Sequence, residues 1–113
     1  MGRIFTDERR DAIFAAHEAH PDDIGPALGA LVVTGNVPVE TVSQLLAVTR
    51  PTIYRWMHGI SQPRDPDKIK KLNRLLGVLR QAQSAGLLPL SGSSGERTDA
   101  LIRLISARAS AKA

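Results

Sequence analysis

Apolar side chains recur at intervals of three and four residues along most of the chain, a spacing typical of amphipathic helices. No stretch alternates apolar and polar residues as a strand does, so the pattern predicts an all-α fold. The first helix is expected to follow Thr6, which can cap it, and to end near His20, because Pro21 cannot continue it. A second helix is expected to end at Gly35-Asn36.

Two short helices, the third and the fourth, are predicted in the central motif described below. A fifth helix is predicted from Asp67, with apolar side chains at helical spacing between Ile69 and Leu79. The pattern leaves open whether this is one long helix or two short ones separated at Gly77. If the helix is continuous, Val78 is expected to face outward.

The central motif spans residues 39–59, where two short helical patterns flank Ala47, Val48 and Thr49. Ser43 is the small residue expected where the second helix crosses the first. Ala47 occupies the turn position that requires a left-handed backbone, at a cost of about 1 kcal/mol relative to glycine. The apolar contacts of the motif are expected from Val42, Leu46, Val48, Ile53 and Trp56. This arrangement predicts a helix-turn-helix, whose second helix can enter the major groove of DNA.

Composition excludes several classes of protein. The chain has 113 residues and no cysteine, which leaves room for one small core and excludes disulfides, thiolate catalysis and cysteine-ligated metals. The longest nearly apolar run, residues 24–33, is too short to span a bilayer, and the charged N-terminus does not resemble a signal peptide. We therefore expect a cytoplasmic protein with no membrane partner.

Positive charge is concentrated in the second half of the chain. The net charge is +4, composed of −3 in residues 1–25, −1 in residues 26–49, +6 in residues 50–80 and +2 in residues 81–113. The basic block therefore begins at the second helix of the motif. Such a block suggests a polyanion, and together with the motif it indicates double-stranded DNA. From charge alone, a solvated basic face is an equal alternative.

Residues 24–80 resemble the DNA-binding domain of the Cro/C1-type (phage-repressor-like) helix-turn-helix family. The resemblance is carried by VSQLLAVTRPTIYRW at residues 42–56 and by WMHGISQP at residues 56–63, which follows that family's W-x-x-G-x-x-x-P ending. It implies a small helical domain around the central motif. The extra helices that the pattern predicts at the N- and C-terminal ends of this chain lie outside the resemblance.

Helical geometry assigns the residues that would face DNA. If Ile53 and Trp56 point inward, the opposite side of the second helix is free for DNA. Base contacts are expected from Arg50, Pro51, Thr52 and Arg55. Phosphate contacts are expected from Thr49, Tyr54, His58, Ser61, Gln62, Arg64, Lys68 and Lys71. The alternative is that the arginines only solubilise an exposed helix.

Other chemistry has little support. His17 and His20 lie three residues apart beside acidic residues, but no third ligand falls at a defining spacing, so we expect no metal site. No glycine-rich phosphate loop and no serine–histidine–acid set can be assigned. We expect no cofactor, no small-molecule ligand and no enzymatic activity.

The chain divides by pattern into a helix-turn-helix domain over residues 1–90, a flexible linker at residues 91–95 and an amphipathic helix over residues 96–113. Ser93 and Glu96 form a possible capping box at the start of that helix.

The last helix carries an aliphatic stripe that needs a surface to cover: Leu101, Ile102, Leu104 and Ile105. It can fold back on its own domain or pack against a second subunit. Because the SGSSG joint is flexible, we favour a homodimer interface, and removal of the chain after Leu90 is then expected to leave a folded monomer.

The sequence predicts a sequence-specific DNA-binding transcriptional regulator, of the phage or prophage repressor type, that acts by promoter occlusion as a dimer. One alternative is a DNA-architecture or packaging protein, such as an excisionase-like factor or a small terminase subunit. A second alternative is a module that keeps the fold but binds a host protein.

Overall fold

The computed structural model describes the backbone of residues 7–112 and the side chains of residues 7–107. Within that range the chain is all-helical, without strands, which confirms the predicted fold class. The helices are α1 (Asp7–Ala19), α2 (Ile24–Gly35), α3 (Val39–Leu46), α4 (Arg50–Met57), α5 (Pro66–Ser84) and α6 (Ser94–Lys112). Thr6, the cap predicted for the first helix, lies outside the described residues.

Helix ends follow the local chemistry of the sequence. Asn36 ends α2 in a left-handed conformation, with φ 54° and ψ 40°. At the start of α6, the Ser93 N–H donates to Glu96 Oε1 and the Glu96 N–H donates to Ser93 Oγ, both over 3.2 Å. The predicted capping box is therefore confirmed. Hydrogen bonding from the backbone and then the side chain of Ser93 lowers the pKa of the Glu96 carboxyl.

Helix α2 is the centre of the molecule and packs against α1, α4 and α5. Two glycines allow its close approach to neighbouring helices. A Cβ at Gly25 would clash with the backbone carbonyl of Trp56. A Cβ at Gly29 would lie 2.7 Å from Ile13 Cγ2 and 2.9 Å from Met57 Cβ. Helices α1, α2 and α4 therefore meet at a contact that no larger residue fits.

Helix α5 continues through Gly77 without interruption. The expectation that a continuous helix would turn Val78 outward is wrong, because Val78 is only 4% exposed. The reason is that α2, α3 and α6 all pack on α5, so a single apolar stripe does not describe its buried surface.

Helix α6 folds back on its own domain. The Arg97 side chain is buried, and its Nη1 donates to the backbone oxygen and to Oδ1 of Asn36 over 3.1 and 3.3 Å. The hydroxyls of Thr98 and Thr41 are hydrogen-bonded over 2.7 Å, which joins α6 to α3. Leu101 is 0% exposed and belongs to the hydrophobic core. The last helix is thus part of the same packed unit.

The segment predicted as a linker is anchored by hydrogen bonds at Leu90, before it, and by the capping box at Ser93. The Leu90 N–H donates to the Gly35 oxygen over 2.8 Å, and Asn36 Nδ2 donates to the Leu90 oxygen over 3.0 Å. Helix α6 begins at Ser94, inside residues 91–95, rather than at residue 96. The segment therefore joins two anchored points.

The predicted dimer stripe divides into buried and exposed parts. Leu101 is fully buried within its own chain, so its assignment to a dimer interface is wrong in this fold. Leu104 and Ile105 are half-buried and pack against the core, whereas Ile102 remains 46% exposed. Three of the four side chains of the stripe therefore pack on the chain's own core, and Ile102 does not.

Candidate nucleic-acid interface

The turn between α3 and α4 has the geometry expected of a helix-turn-helix. Ala47 caps α3 with φ 55° and ψ 44°, which confirms the predicted left-handed position. The Val48 N–H donates to the Ser43 oxygen over 3.0 Å, which closes the end of α3. Lys68 Nζ reaches across from α5 and donates to the Ala47 oxygen over 3.2 Å. The turn is therefore fixed by its own backbone and by a lysine of a neighbouring helix.

The inner side of α4 faces the core as predicted. Ile53 is 0% exposed and Trp56 is 6% exposed. Met57 is also fully buried, and the sequence analysis had not assigned it to the core. On α3, Ser43 is buried, as expected of the small residue at the crossing. These contacts determine which side of α4 is left open.

The open side of α4 carries the residues predicted to contact bases. Arg50, Pro51 and Arg55 are exposed, and Thr52 is half-buried. The hydroxyls of Thr49 and Thr52 lie 3.0 Å apart and are hydrogen-bonded to each other at the start of the helix. Among the described residues, no ion pair is found for either arginine of α4. The two guanidinium groups are thus exposed, with their hydrogen-bond donors available for bidentate pairing.

One flank of α4 is covered by α1. The Arg9 guanidinium carbon lies 4.4 Å from the centroid of the Tyr54 ring. His58 is half-buried, and its burial first, and the Arg9 charge second, lower the pKa of its imidazole. Tyr54 and His58 are therefore less open than the helical pattern alone predicted, and His58 is disfavoured as a charged phosphate contact.

Arg9 is the residue of this surface that the sequence analysis missed. It precedes the motif by thirty residues, and nothing in its own helix indicates that it stacks on an aromatic ring of α4. A lone tyrosine on an otherwise polar side of α4 is compatible with such a cation–π contact, but it does not identify the arginine that makes it.

The remaining predicted phosphate contacts follow α4 in the chain, in the loop before α5 and on α5 itself. Ser61, Gln62 and Arg64 are exposed in the loop before α5. The side chain of Gln62 is engaged, because its Nε2 donates to Asp23 Oδ2 over 3.3 Å. On α5, Lys71 is exposed and its Nζ lies 3.4 Å from Asp67 Oδ2.

No metal centre is found in the part of the chain that the structure describes, where no three histidine, cysteine, aspartate or glutamate side chains form a possible site. His20 Nδ1 instead lies 4.0 Å from Asp23 Oδ2. Within the same residues, no helix is both long and apolar enough to cross a membrane.

Comparisons of the chain with protein-family models, with curated proteins and with solved structures found no match. The likeness to the Cro/C1-type family therefore rests on the motifs in residues 24–80 alone.

Proposed function

We propose that the protein is a sequence-specific DNA-binding transcriptional regulator in which α4 reads the major groove. The observation that carries the proposal is the two-sided character of α4. Its inner residues are buried, whereas Arg50, Pro51 and Arg55 are exposed on a helix held by a helix-turn-helix turn.

In this mechanism the exposed residues of α4 supply base contacts. Arg50 and Arg55 each present a planar guanidinium that matches O6 and N7 of guanine, while Pro51 and the Thr52 methyl suit a thymine methyl group. Lys68, Arg64 and the helix start at Thr49 supply contacts to phosphates, which position α4 without reading the sequence.

The regulatory step would be occlusion of a promoter, in the cytoplasm, as in repressors of the phage type. One such helix contacts few base pairs, so we also propose that two copies bind a palindromic site. Because Leu101 is buried and Leu104 and Ile105 are half-buried, Ile102 is the residue of that stripe that offers a large exposed contact to a second copy. Sedimentation with and without a palindromic duplex measures whether pairing requires DNA.

The test is selection of bound fragments from random DNA by the purified protein, followed by affinity measurements on the enriched sequence. Arg55→Ala is expected to weaken binding to that sequence by about 1–3 kcal/mol and to relax preference at one base pair. Arg80→Ala, which removes an exposed arginine of α5, is the matched control and should preserve the preference.

Failure to enrich any sequence would contradict the proposal. Tight binding without sequence preference would favour the DNA-architecture or packaging alternative. An equal loss on selected and random DNA in Arg55→Ala would make Arg55 a phosphate contact.

A further inference from the structure

An apolar groove lies on the face formed by α3, α5 and α6. Its volume is about 210 Å³. Its floor and walls are aliphatic side chains, with two cations of α5 at the rim. The lining residues are Leu45, Leu46, Lys71, Arg74, Leu75, Val78 and Ile105. We call this surface the α3–α5–α6 groove.

Two large aliphatic side chains on the helices that form the groove are exposed to solvent. Leu45 is 38% exposed on α3, and Ile102 is 46% exposed on α6. The hydrogen bond between Thr41 and Thr98 brings these two helices together one turn before Leu45 and Ile102. Ile105, on the same side of α6, lines the groove itself. The groove therefore includes exposed aliphatic surface at Leu45, and the exposed Ile102 lies three residues before Ile105 on α6, as expected of an interaction site.

The charge at the rim indicates the chemistry of the occupant. Lys71 and Arg74 are exposed and nearly one turn apart on α5, so both flank the apolar floor. Lys71 shares its charge with Asp67, and no ion pair of Arg74 is found among the described residues. An aliphatic floor with an arginine and a lysine beside it complements a helix that carries both leucine-like and acidic side chains.

Two surfaces of a second copy of this protein fit the groove less well than such a helix. A symmetric contact between two grooves would bring Lys71 and Arg74 of each copy near the same cations of the other, and like charges repel. The acidic helix α1 of another copy has suitable charge, but its exposed side chains are only charged residues and alanines. The alanines are too small to fill the groove.

We propose that the α3–α5–α6 groove binds an acidic amphipathic helix of a partner protein. The aliphatic side chains of that helix pack on Leu45, Val78 and Ile105. Its carboxylates pair with Arg74 and Lys71. This mode of helix-in-groove recognition does not require DNA, so its failure and the failure of the proposed function are distinguishable, although both surfaces include Lys71.

The probe is a fluorescent, side-chain-stapled helical peptide with leucines on one face and glutamates on the other. A second peptide with glutamine in place of every glutamate tests the role of charge. Anisotropy is measured with the full-length protein in the absence of DNA. We expect the acidic peptide to bind and the glutamine peptide to bind at least about fivefold more weakly.

Two pairs of variants locate the contact. Arg74→Glu should weaken the acidic peptide by about fivefold, whereas Arg80→Glu, on another face of the same helix, should change it less than about twofold. Leu45→Gln should weaken both peptides, whereas Ile60→Gln, at a residue 74% exposed and outside the groove, should weaken neither. These positions are all exposed, so the variants should fold, which circular dichroism checks.

Absence of binding by the acidic peptide up to about 1 mM would overturn the proposal. Equal binding of the two peptides, or equal effects of Arg74→Glu and Arg80→Glu, would also overturn it. Self-association of the full-length protein that Leu45→Gln abolishes would show that a second copy is the occupant instead.

Discussion

Ala47 has a left-handed backbone that alanine adopts only at a cost. Its Cβ is crowded by the following carbonyl at φ 55°, and no glycine is present to avoid that crowding. The position is nevertheless maintained, because Lys68 and the backbone of α3 hold the turn from two sides. The turn therefore stores strain that a single substitution can release.

Ala47→Gly is expected to raise the free energy of unfolding by about 1 kcal/mol, since glycine has no Cβ to strain. Urea unfolding measures it. Ala85→Gly is the matched control, because Ala85 is also an exposed helix-capping alanine but has φ −83°. It should be neutral or destabilising. Similar effects of the two substitutions would contradict the strain at Ala47.

His58 provides a prediction for pH. Burial and Arg9 lower the pKa of the folded imidazole, so the folded state binds a proton less readily than the unfolded chain. The contribution of His58 to stability is therefore complete above its usual pKa of about 6.5 and is lost as the pH falls below it. Comparing urea unfolding of wild type and His58→Asn at about pH 7.5 and pH 5.5 tests this, and wild type should lose more stability. Equal losses would mean that His58 has no such role.

At the scale of elements, local signals predicted the fold well and long-range contacts less well. The stop at Asn36, the capping box at Ser93 and the left-handed turn at Ala47 depend on residues within a few positions, so their chemistry is visible in the sequence. Val78 is buried by helices that lie elsewhere in the chain, and periodicity in its own helix cannot show them.

The candidate site shows the same difference between local signals, which the sequence reveals, and long-range contacts, which it does not. The exposed arginines of α4 follow from helical spacing around Ile53 and Trp56. The stacking of Arg9 on Tyr54 does not, because it depends on how α2 places α1 beside α4. The burial of Leu101 likewise depends on the anchors that turn α6 back onto the domain.

Helix α6 should therefore behave as part of the core. Leu101→Ala is expected to lower the free energy of unfolding by about 2–5 kcal/mol, because it leaves a cavity at a residue that is 0% exposed. Ile102→Ala, one position further at 46% exposure, is the matched control and should cost less than about 1 kcal/mol. Comparable losses would show that α6 does not dock as described.

The same packing changes the expectation for truncation. Ending the chain after Leu90 removes both Leu101 and the Arg97 contacts to Asn36, so the truncated protein should be much less stable than the full chain. A shortened chain with unchanged thermal unfolding would instead support the earlier expectation of an independent domain over residues 1–90.

At the scale of the whole molecule, charge is divided between two parts of the chain. The N-terminal 25 residues carry −3, and the segment from Arg50 to Arg80 carries +6. Because α4 and α5 belong to the basic segment, a polyanion that approaches α4 meets positive charge beyond the helix itself. Under the proposed function, affinity for DNA should fall steeply with salt as bound counterions are released.

Lys71 tests how far that interface extends along α5. It lies one turn beyond Lys68, whose Nζ hydrogen-bonds to the turn before α4. Because residues three apart share one side of a helix, we expect both lysines to face a phosphate next to that turn. Lys71→Ala is expected to weaken binding to all DNA about equally and to flatten the slope of log affinity against log salt by about one unit. The ion pair with Asp67 makes that value an upper limit, because part of the lysine charge is already neutralised.

Arg103→Ala removes an exposed cation from α6, outside the proposed interface, and should leave the slope unchanged. An unchanged slope in Lys71→Ala would show that the interface does not extend beyond Lys68. A loss of affinity confined to the selected sequence would mean that Lys71 acts on specificity.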